Sequence, residues 1–400
     1  MKRKRMLVLL ISLVLLIGLI SGCQPAEQAS PEPQPEQAQE TPAPAETPAA
    51  EEPAGEVQKK DIGFYMDASD DYYKIIGETL TTLADMDPEC DWNVNIVVGQ
   101  STAAEQLNAV NDFIVSGYDA IIVIQNNADT TSECIELCKQ AGIPYFGATH
   151  DFSHVPNAAD AAGSICYDFV QAGVYAGEDA LARGAKRIIM IEGVLGQGTA
   201  GAQSLGFIKA YEEAGKDIGG MTAEEFATQK PKGGGADLEI VAWGSGNWFA
   251  EPAKKLMTDF ITSLGPDGWD GAYVQNDEMM DGAIQAIQEA GLNPSDYWLG
   301  ASNGKEKSWE WVRNKVTTMD VNQTAALEGD ALYQQLKAYF NGEEYRKYIH
   351  PYLTPFNIDN IDQVALVPFS DVNEYIKQRS EGKFVYDIND PKFLDNPGYK

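Results

Sequence analysis

The sequence predicts an α/β protein of two doubly wound parallel-sheet lobes. Three observations carry that expectation. Short apolar runs that end in polar residues alternate with stretches of helical periodicity, as in a parallel sheet with right-handed crossovers. The run Ala120-Ile121-Ile122-Val123-Ile124 is continuously apolar, as a strand covered on both faces must be. After about residue 166 the alternation begins afresh, and 400 residues suffice for two ordinary cores. No strict internal sequence repeat accompanies the restart.

The amino terminus reads as an address. Lys2-Arg3-Lys4-Arg5 precede an apolar stretch over residues 7–20, shorter than the roughly 20 residues that cross a bilayer comfortably. That is the pattern of a secretory signal over residues 1–22, an uncut short anchor being the other reading. Ile20-Ser21-Gly22-Cys23 resembles the lipobox of bacterial lipoproteins, which implies cleavage before Cys23 and a diacylglycerol on its sulfur. Residues 23–58 are rich in Pro, Glu, Ala and Gln with almost no large apolar side chain. Such a segment cannot bury enough surface to fold and reads as an extended tether. The expectation is a soluble body held at the extracellular face of a bacterial membrane. One acyl chain binds only marginally, whereas two anchor stably.

The body follows in order. Residues 61–66 read as a strand, residues 67–71 as a capping loop, and Tyr72, Ile76, Leu80 and Leu83 as a helical stripe. A strand over 94–98, a helix closed by Gly117, the strand over 120–124 ending in Gln125-Asn126-Asn127, a helix stopped by Gly142 and a strand over 143–146 come next. In the second half a helix is expected over 168–183 and a strand over 187–191. A glycine loop over 193–201 leads to a helix through Ala214. An irregular insertion over 219–235 precedes a strand over 238–243. Leu256, Phe260, Ile261 and Leu264 mark a helix. The stretch Ala272-Tyr273-Val274-Gln275-Asn276-Asp277-Glu278-Met279 is again a strand feeding a helix, and residues 298–300 form another strand. Ligands of open α/β sheets bind outside the carboxyl ends of strands, so these loops are expected to face one cleft.

Net charge is −31, and removal of residues 1–22, with four basic and no acidic residues, would take it to −35. Such a chain repels nucleic acid and anionic membrane surfaces, so no nucleic-acid partner is expected. With three histidines and no ligand cluster, no metal is expected. Cys134 and Cys138 share a helix face and read as buried free thiols, with a disulfide left open.

With both lobes in place, the chain resembles the ribose- and galactose-type periplasmic binding proteins, which in Gram-positive bacteria are lipoproteins serving ABC importers. The resemblance rests on Gln275-Asn276-Asp277-Glu278-Met279, on the first-strand loop ending in Tyr72-Tyr73, and on Gly142-Ile143-Pro144, and covers about residues 60–357. It implies two lobes joined by three crossings of the chain, near Cys166, Gln323 and Leu353. Residues 59–165 and 324–352 then form the amino-terminal lobe, and residues 166–323 and 353–400 the other lobe and tail.

A sugar site needs flat rings for the faces of the sugar and short amides or carboxylates for its hydroxyls. The resemblance places Asp70, Tyr72 and Tyr73 at ligand-contacting positions. Tyr72 also reads as the first residue of the helix stripe and Asp70 as its cap. Where the family often has Asp-Arg, this chain has Thr149-His150, a departure that bears on the ligand taken. Trp248 matches a ring-stacking aromatic, Asn276 a hydroxyl-binding amide, and Asn303 and Gln323 further polar contacts. Asp277 reads either as a contact or as a helix cap. Gly196-Gln197-Gly198-Thr199-Ala200-Gly201 spells G-x-G-x-x-G, but the acid expected some 20 residues on is missing, so it is read as a loop that lets backbone approach the ligand. The family often has an arginine where Gly201 stands.

No arginine falls on these loops, whereas a carboxylate or phosphate ligand would normally find one. The expected ligand is a neutral sugar or polyol, with a small organic cation as the alternative. The leading function is solute capture for ABC permease subunits by hinged closure, as a monomer without cofactor. A receptor subunit for a membrane histidine kinase is the second hypothesis, and neighbouring genes would separate the two. An enzyme is the third. The residues offer no nucleophile–base pair and no complete cofactor signature, so none is expected. Lactose-repressor-type regulators share the implied fold, but a signal and stalk stand where a DNA-reading head would be.

Overall fold

The computed structural model describes residues 57–125, 128–195, 197–228 and 230–399. The expected signal, the acylated Cys23, most of the tether, Asn126, Asn127 and Gly196 lie outside the described residues. The first half runs β1 (Lys59–Met66), α1 (Asp71–Met86), β2 (Asp91–Val98), α2 (Ala103–Val115), β3 (Ala120–Ile124), α3 (Ala128–Ala141), β4 (Tyr145–Ala148) and β5 (Gly163–Ile165). The second runs α4 (Phe169–Ala182), β6 (Arg187–Glu192), α5 (Gly198–Glu213), α6 (Ala223–Thr228), β7 (Gly233–Gly234), β8 (Glu239–Ser245), α7 (Ala250–Leu264), β9 (Gly271–Val274), α8 (Asp277–Glu289), β10 (Trp298–Gly300), α9 (Glu306–Arg313) and β11 (Met319–Asn322). The chain then forms α10 (Ala325–Asn341), β12 (Tyr348–His350), β13 (Thr354–Asn357), α11 (Val372–Ser380) and β14 (Leu394–Asp395).

The strands make two seven-stranded sheets, ordered β14-β12-β5-β4-β3-β1-β2 and β13-β11-β10-β9-β6-β8-β7. β1 lies between β2 and β3, and β6 between β8 and β9, so both sheets reverse direction at the first strand of their half and open a crevice there. Strand alternation builds the cores. Ile62, Phe64 and Met66 of β1 pack with α1 and α10, while Tyr65 faces α2 and α3. In the second sheet Ile188 and Met190 of β6 meet α4 and α5, and Ile189 and Ile191 meet α7 and α8. The expectation of parallel sheets holds for the interior pairs. Three of the four edge strands are antiparallel, β7 on β8, β13 on β11 and β14 on β12, while β2 is parallel to β1, so the sheets are mixed.

Three readings are corrected. Gly198 to Gly201 are the first turn of α5, not loop. The insertion over 219–235 is not wholly irregular, since it holds α6 and β7. The tail, expected with the second lobe over 353–400, keeps only β13 and its flank there. Val367, Phe369, Val372, Tyr375, Ile388 and Phe393 join the core of the first sheet, and β14 pairs with β12. The cause is apolar burial against α1 and α10, fixed by Arg379 on the fully buried Asp330 of α10. Cys134, Cys138 and Cys166 are buried free thiols, and Cys90 is half-buried and free.

Candidate functional site

A cleft lies where loops at the carboxyl ends of the strands of both sheets meet, lined by residues of both. From the first lobe come Asp70, Tyr72, Tyr73, Thr149 and His150. Trp248, Asn276, Asn303 and Gln323 come from the other side. Asp277 is the exception. It is buried away from the cleft, where its Oδ2 accepts the Lys305 amide at 2.7 Å and so holds the loop after β10. Nor does it cap α8; Asn276 does, its Oδ1 accepting from Met279 N at 2.9 Å. Sequence reasoning missed Phe169, Thr199, Gln203 and Gln275. Thr199 and Gln203 share one face of α5, and that i, i+4 polar pair was the available signal.

The first wall is built by α1. Asp70 caps that helix, accepting from Tyr72 N at 2.7 Å, and still faces the cleft. Burial raises its carboxyl pKa, opposed by the Tyr72 amide and the Lys305 charge. The Tyr73 hydroxyl lies 3.1 Å from His150 Nε2, and His150 Nδ1 lies 2.7 Å from Thr199 Oγ1, so one imidazole bridges the two sides of the cleft. Burial depresses the His150 pKa to about 4, which leaves the ring neutral near pH 7. One ring nitrogen then donates and the other accepts, so the two hydroxyls take opposite roles.

The second wall is Trp248. Its Nε1 donates to Gln197 Oε1 at 2.7 Å, and its ring lies over Gly193, where an added Cβ would sit 2.0 Å from the indole. Asn276 Nδ2 holds the Trp248 carbonyl at 3.1 Å. Both amide atoms of Asn276 therefore have protein partners, each keeping capacity for one more bond. Gln275 is fully buried and ties Gly193 N to Ala200 O. Gln323 Oε1 is buried without a partner, an acceptor for which a ligand hydroxyl would be a donor. Thr149, Trp248 and Asn303 all have positive φ, of 68°, 68° and 102°. Such backbone is uncommon outside glycine and concentrates at binding sites. Thr149 is held by its hydroxyl, which donates to Glu328 Oε2 at 2.9 Å.

Behind the site, Asp277 lies beside Asp320, both buried. Burial first, then the charge of Asp277, pushes the Asp320 pKa well up; burial raises that of Asp277 too. Two such carboxyls cannot both ionise cheaply. Both pKa values are raised by folding, so the folded chain keeps a proton that the unfolded chain releases above about pH 4. Stability from this pair therefore falls as pH rises. Asp320→Asn is expected to raise the melting temperature at pH 8 more than at pH 5. Equal shifts at the two pH values in thermal denaturation would refute the shared proton.

Comparison with known proteins agrees with this architecture. Residues 62–344 match the family model described as a periplasmic binding protein domain. The xylitol-binding protein of Mycolicibacterium smegmatis is 27% identical over 281 residues, covering 68% of this chain and 70% of that one. The galactofuranose-binding protein of Escherichia coli is 24% identical over 245 residues, covering 60% and 70%. A solved solute-binding protein of Bacillus halodurans with bound myo-inositol superposes with a TM-score of 0.64 at 21% identity, covering 78% of this chain and 98% of that one. The fructose-binding periplasmic domain of a hybrid two-component system gives 0.64 at 18%, covering 81% and 97%. The molecule is a two-lobed cleft protein, and it belongs to the periplasmic binding protein family.

Proposed function

We propose that the protein captures a neutral sugar or polyol in this cleft, outside the cell membrane and tethered through Cys23, and delivers it to an ABC permease. The observation that carries the reading is the composition of the lining among the described residues: aromatic rings, amides and hydroxyls, one carboxylate, a neutral histidine, and neither arginine nor lysine. Flat rings suit the C–H faces of a sugar, and the amides and Asp70 suit its hydroxyls. An anion would have no charge partner among these residues. Relatives named for xylitol and galactofuranose support the same class. Closure is the expected mechanism, with the His150–Thr199 bond spanning the lobes in this form.

A second reading, a small organic cation held by Asp70 and the rings of Tyr72, Tyr73 and Trp248, has the lone carboxylate of the lining in its favour. Isothermal titration against sugars, cyclitols, amino acids and quaternary amines separates the two. Saturable binding of a polyol at micromolar or lower concentration is expected. Binding of an anion alone would overturn the proposal, and binding of amines alone would replace it by the second reading. Delivery as opposed to sensing is decided by whether the liganded protein stimulates a permease ATPase.

A further inference from the structure

The segment after β13 lies beyond the stretch that matches the family, yet it reaches the binding cleft. Ile361 packs with Val312 and Phe356 in the second lobe, joined by Val364 and Leu366. The chain then passes the second crossing, where Asn322 grips it reciprocally. Val367 N donates to Asn322 Oδ1 at 2.9 Å, and Asn322 Nδ2 donates to Val367 O at 3.1 Å. Thr324 Oγ1 donates to Pro368 O at 2.8 Å. Next, Phe369 N and Ser370 N donate to the carboxylate of Glu306, at the start of α9 in the second lobe, at 2.7 and 3.0 Å. One residue later the chain caps α11, whose Val372 and Tyr375 belong to the core of the first lobe.

Phe369 stands between the lobes on this strap. Its side chain is fully buried, its ring lies 5.5 Å from the Tyr72 ring in an edge-to-face pair, and Lys305 Nζ is 5.3 Å from its centroid. Tyr72 is half-buried, lines the cleft, and makes a further edge contact with Tyr73. The tail thus supplies the surface against which a cleft-lining ring rests. We propose that Phe369 is a positioning residue for Tyr72, and that Glu306 clamps the strap so that this position is set from both lobes at once. An edge-to-face pair contributes beyond its buried area, and carboxylate-to-amide bonds are among the stronger hydrogen bonds. Positioning is accordingly ring on ring, with the clamp limiting how far the ring can withdraw.

This inference rests on the reading that the cleft takes a ligand, so its test has an arm that needs none. In the full chain, Phe369→Ala is expected to weaken binding of the polyol identified by titration by ten-fold or more, mainly through faster dissociation. Phe369→Leu, which keeps the bulk, recovers most of the loss, and Glu306→Ala loses several-fold. In a Tyr72→Ala background, Phe369→Ala adds little, which separates positioning from general destabilisation. Without ligand, the ¹⁹F resonance of 3-fluorotyrosine at Tyr72 shifts in Phe369→Ala and in Glu306→Ala. An unmoved Tyr72 resonance, or additive losses in the double variant, would overturn the proposal. If the wild type binds nothing in the panel, the cleft reading fails and the resonance alone decides. If Phe369→Ala does not fold, Phe369→Leu and Glu306→Ala decide.

Discussion

Replacing Trp248 with alanine is expected to weaken ligand binding by about 30- to 700-fold, the equivalent of about 2–4 kcal/mol for loss of a buried aromatic anchor. The indole is prepared for contact before any ligand arrives. Its Nε1 is spent on Gln197, its carbonyl is held by Asn276, its backbone is left-handed, and the floor beneath it is Gly193. Because the ring is half-buried and only flanks the core of the second lobe, the loss should fall more on affinity than on folding. The same arrangement gives a second arm. A methyl at position 193 would collide with the indole, so Gly193→Ala should displace Trp248 and lose affinity although residue 193 itself does not line the cleft. Calorimetric Kd values for both variants, with melting temperatures alongside, test this. Unchanged affinity in Trp248→Ala would remove the ring from the site.

Glu328→Gln should stabilise the protein increasingly as pH rises from about 5 to about 8. Glu328 is buried on α10 behind the first wall, where burial pushes its carboxyl up to about 8 against the opposing pull of Thr149 and Tyr72. The titratable groups facing it are Tyr72 and Tyr73 of α1 and Cys166 and Tyr167 of the first crossing. Burial raises all four well above their ordinary values, so they remain neutral across this window. The folded chain therefore holds a proton that the unfolded chain releases above about pH 4.5. Stability drains away between the two values, with a ceiling of about 5 kcal/mol by the linkage relation. Glutamine keeps an acceptor for the Thr149 hydroxyl and has no proton to lose. Urea titrations of both proteins at pH 5, 7 and 8.5 check this. Parallel pH profiles would show that Glu328 is ionised in the folded state.

Much of this was legible in residues 61–66, 120–124 and 272–274, where a few apolar residues in a row end at once in polar ones. A strand covered on both faces leaves little choice of side chain, and the loop that follows must face the crevice. The Thr149-His150 pair and Trp248 could be placed on that logic and on the family resemblance. Asp277 could not. A carboxylate three residues after a strand end can point into the crevice or back beneath it, and its contact with the Lys305 amide lies 28 residues away. The tail was illegible for a similar reason. β14 is two residues long, and α11 is polar along most of its length. The scattered apolar residues Val367, Phe369, Val372, Tyr375, Ile388 and Phe393 carry the docking, against surfaces that the local sequence does not reveal. Gly198 to Gly201 misled because glycines suggest a loop, whereas here they open a helix packed tightly on α4.

The left-handed backbone at Thr149, Trp248 and Asn303 also constrains how such a protein can change its diet. At those three places most replacements carry a conformational penalty before any question of fit arises, with glycine and asparagine the least burdened. Retuning toward a different ligand is therefore channelled to Tyr73, Gln203 and Gln323, whose backbones lie outside that region. A library varied at those three positions should yield more folded variants with altered preference than one of equal size varied at the other three.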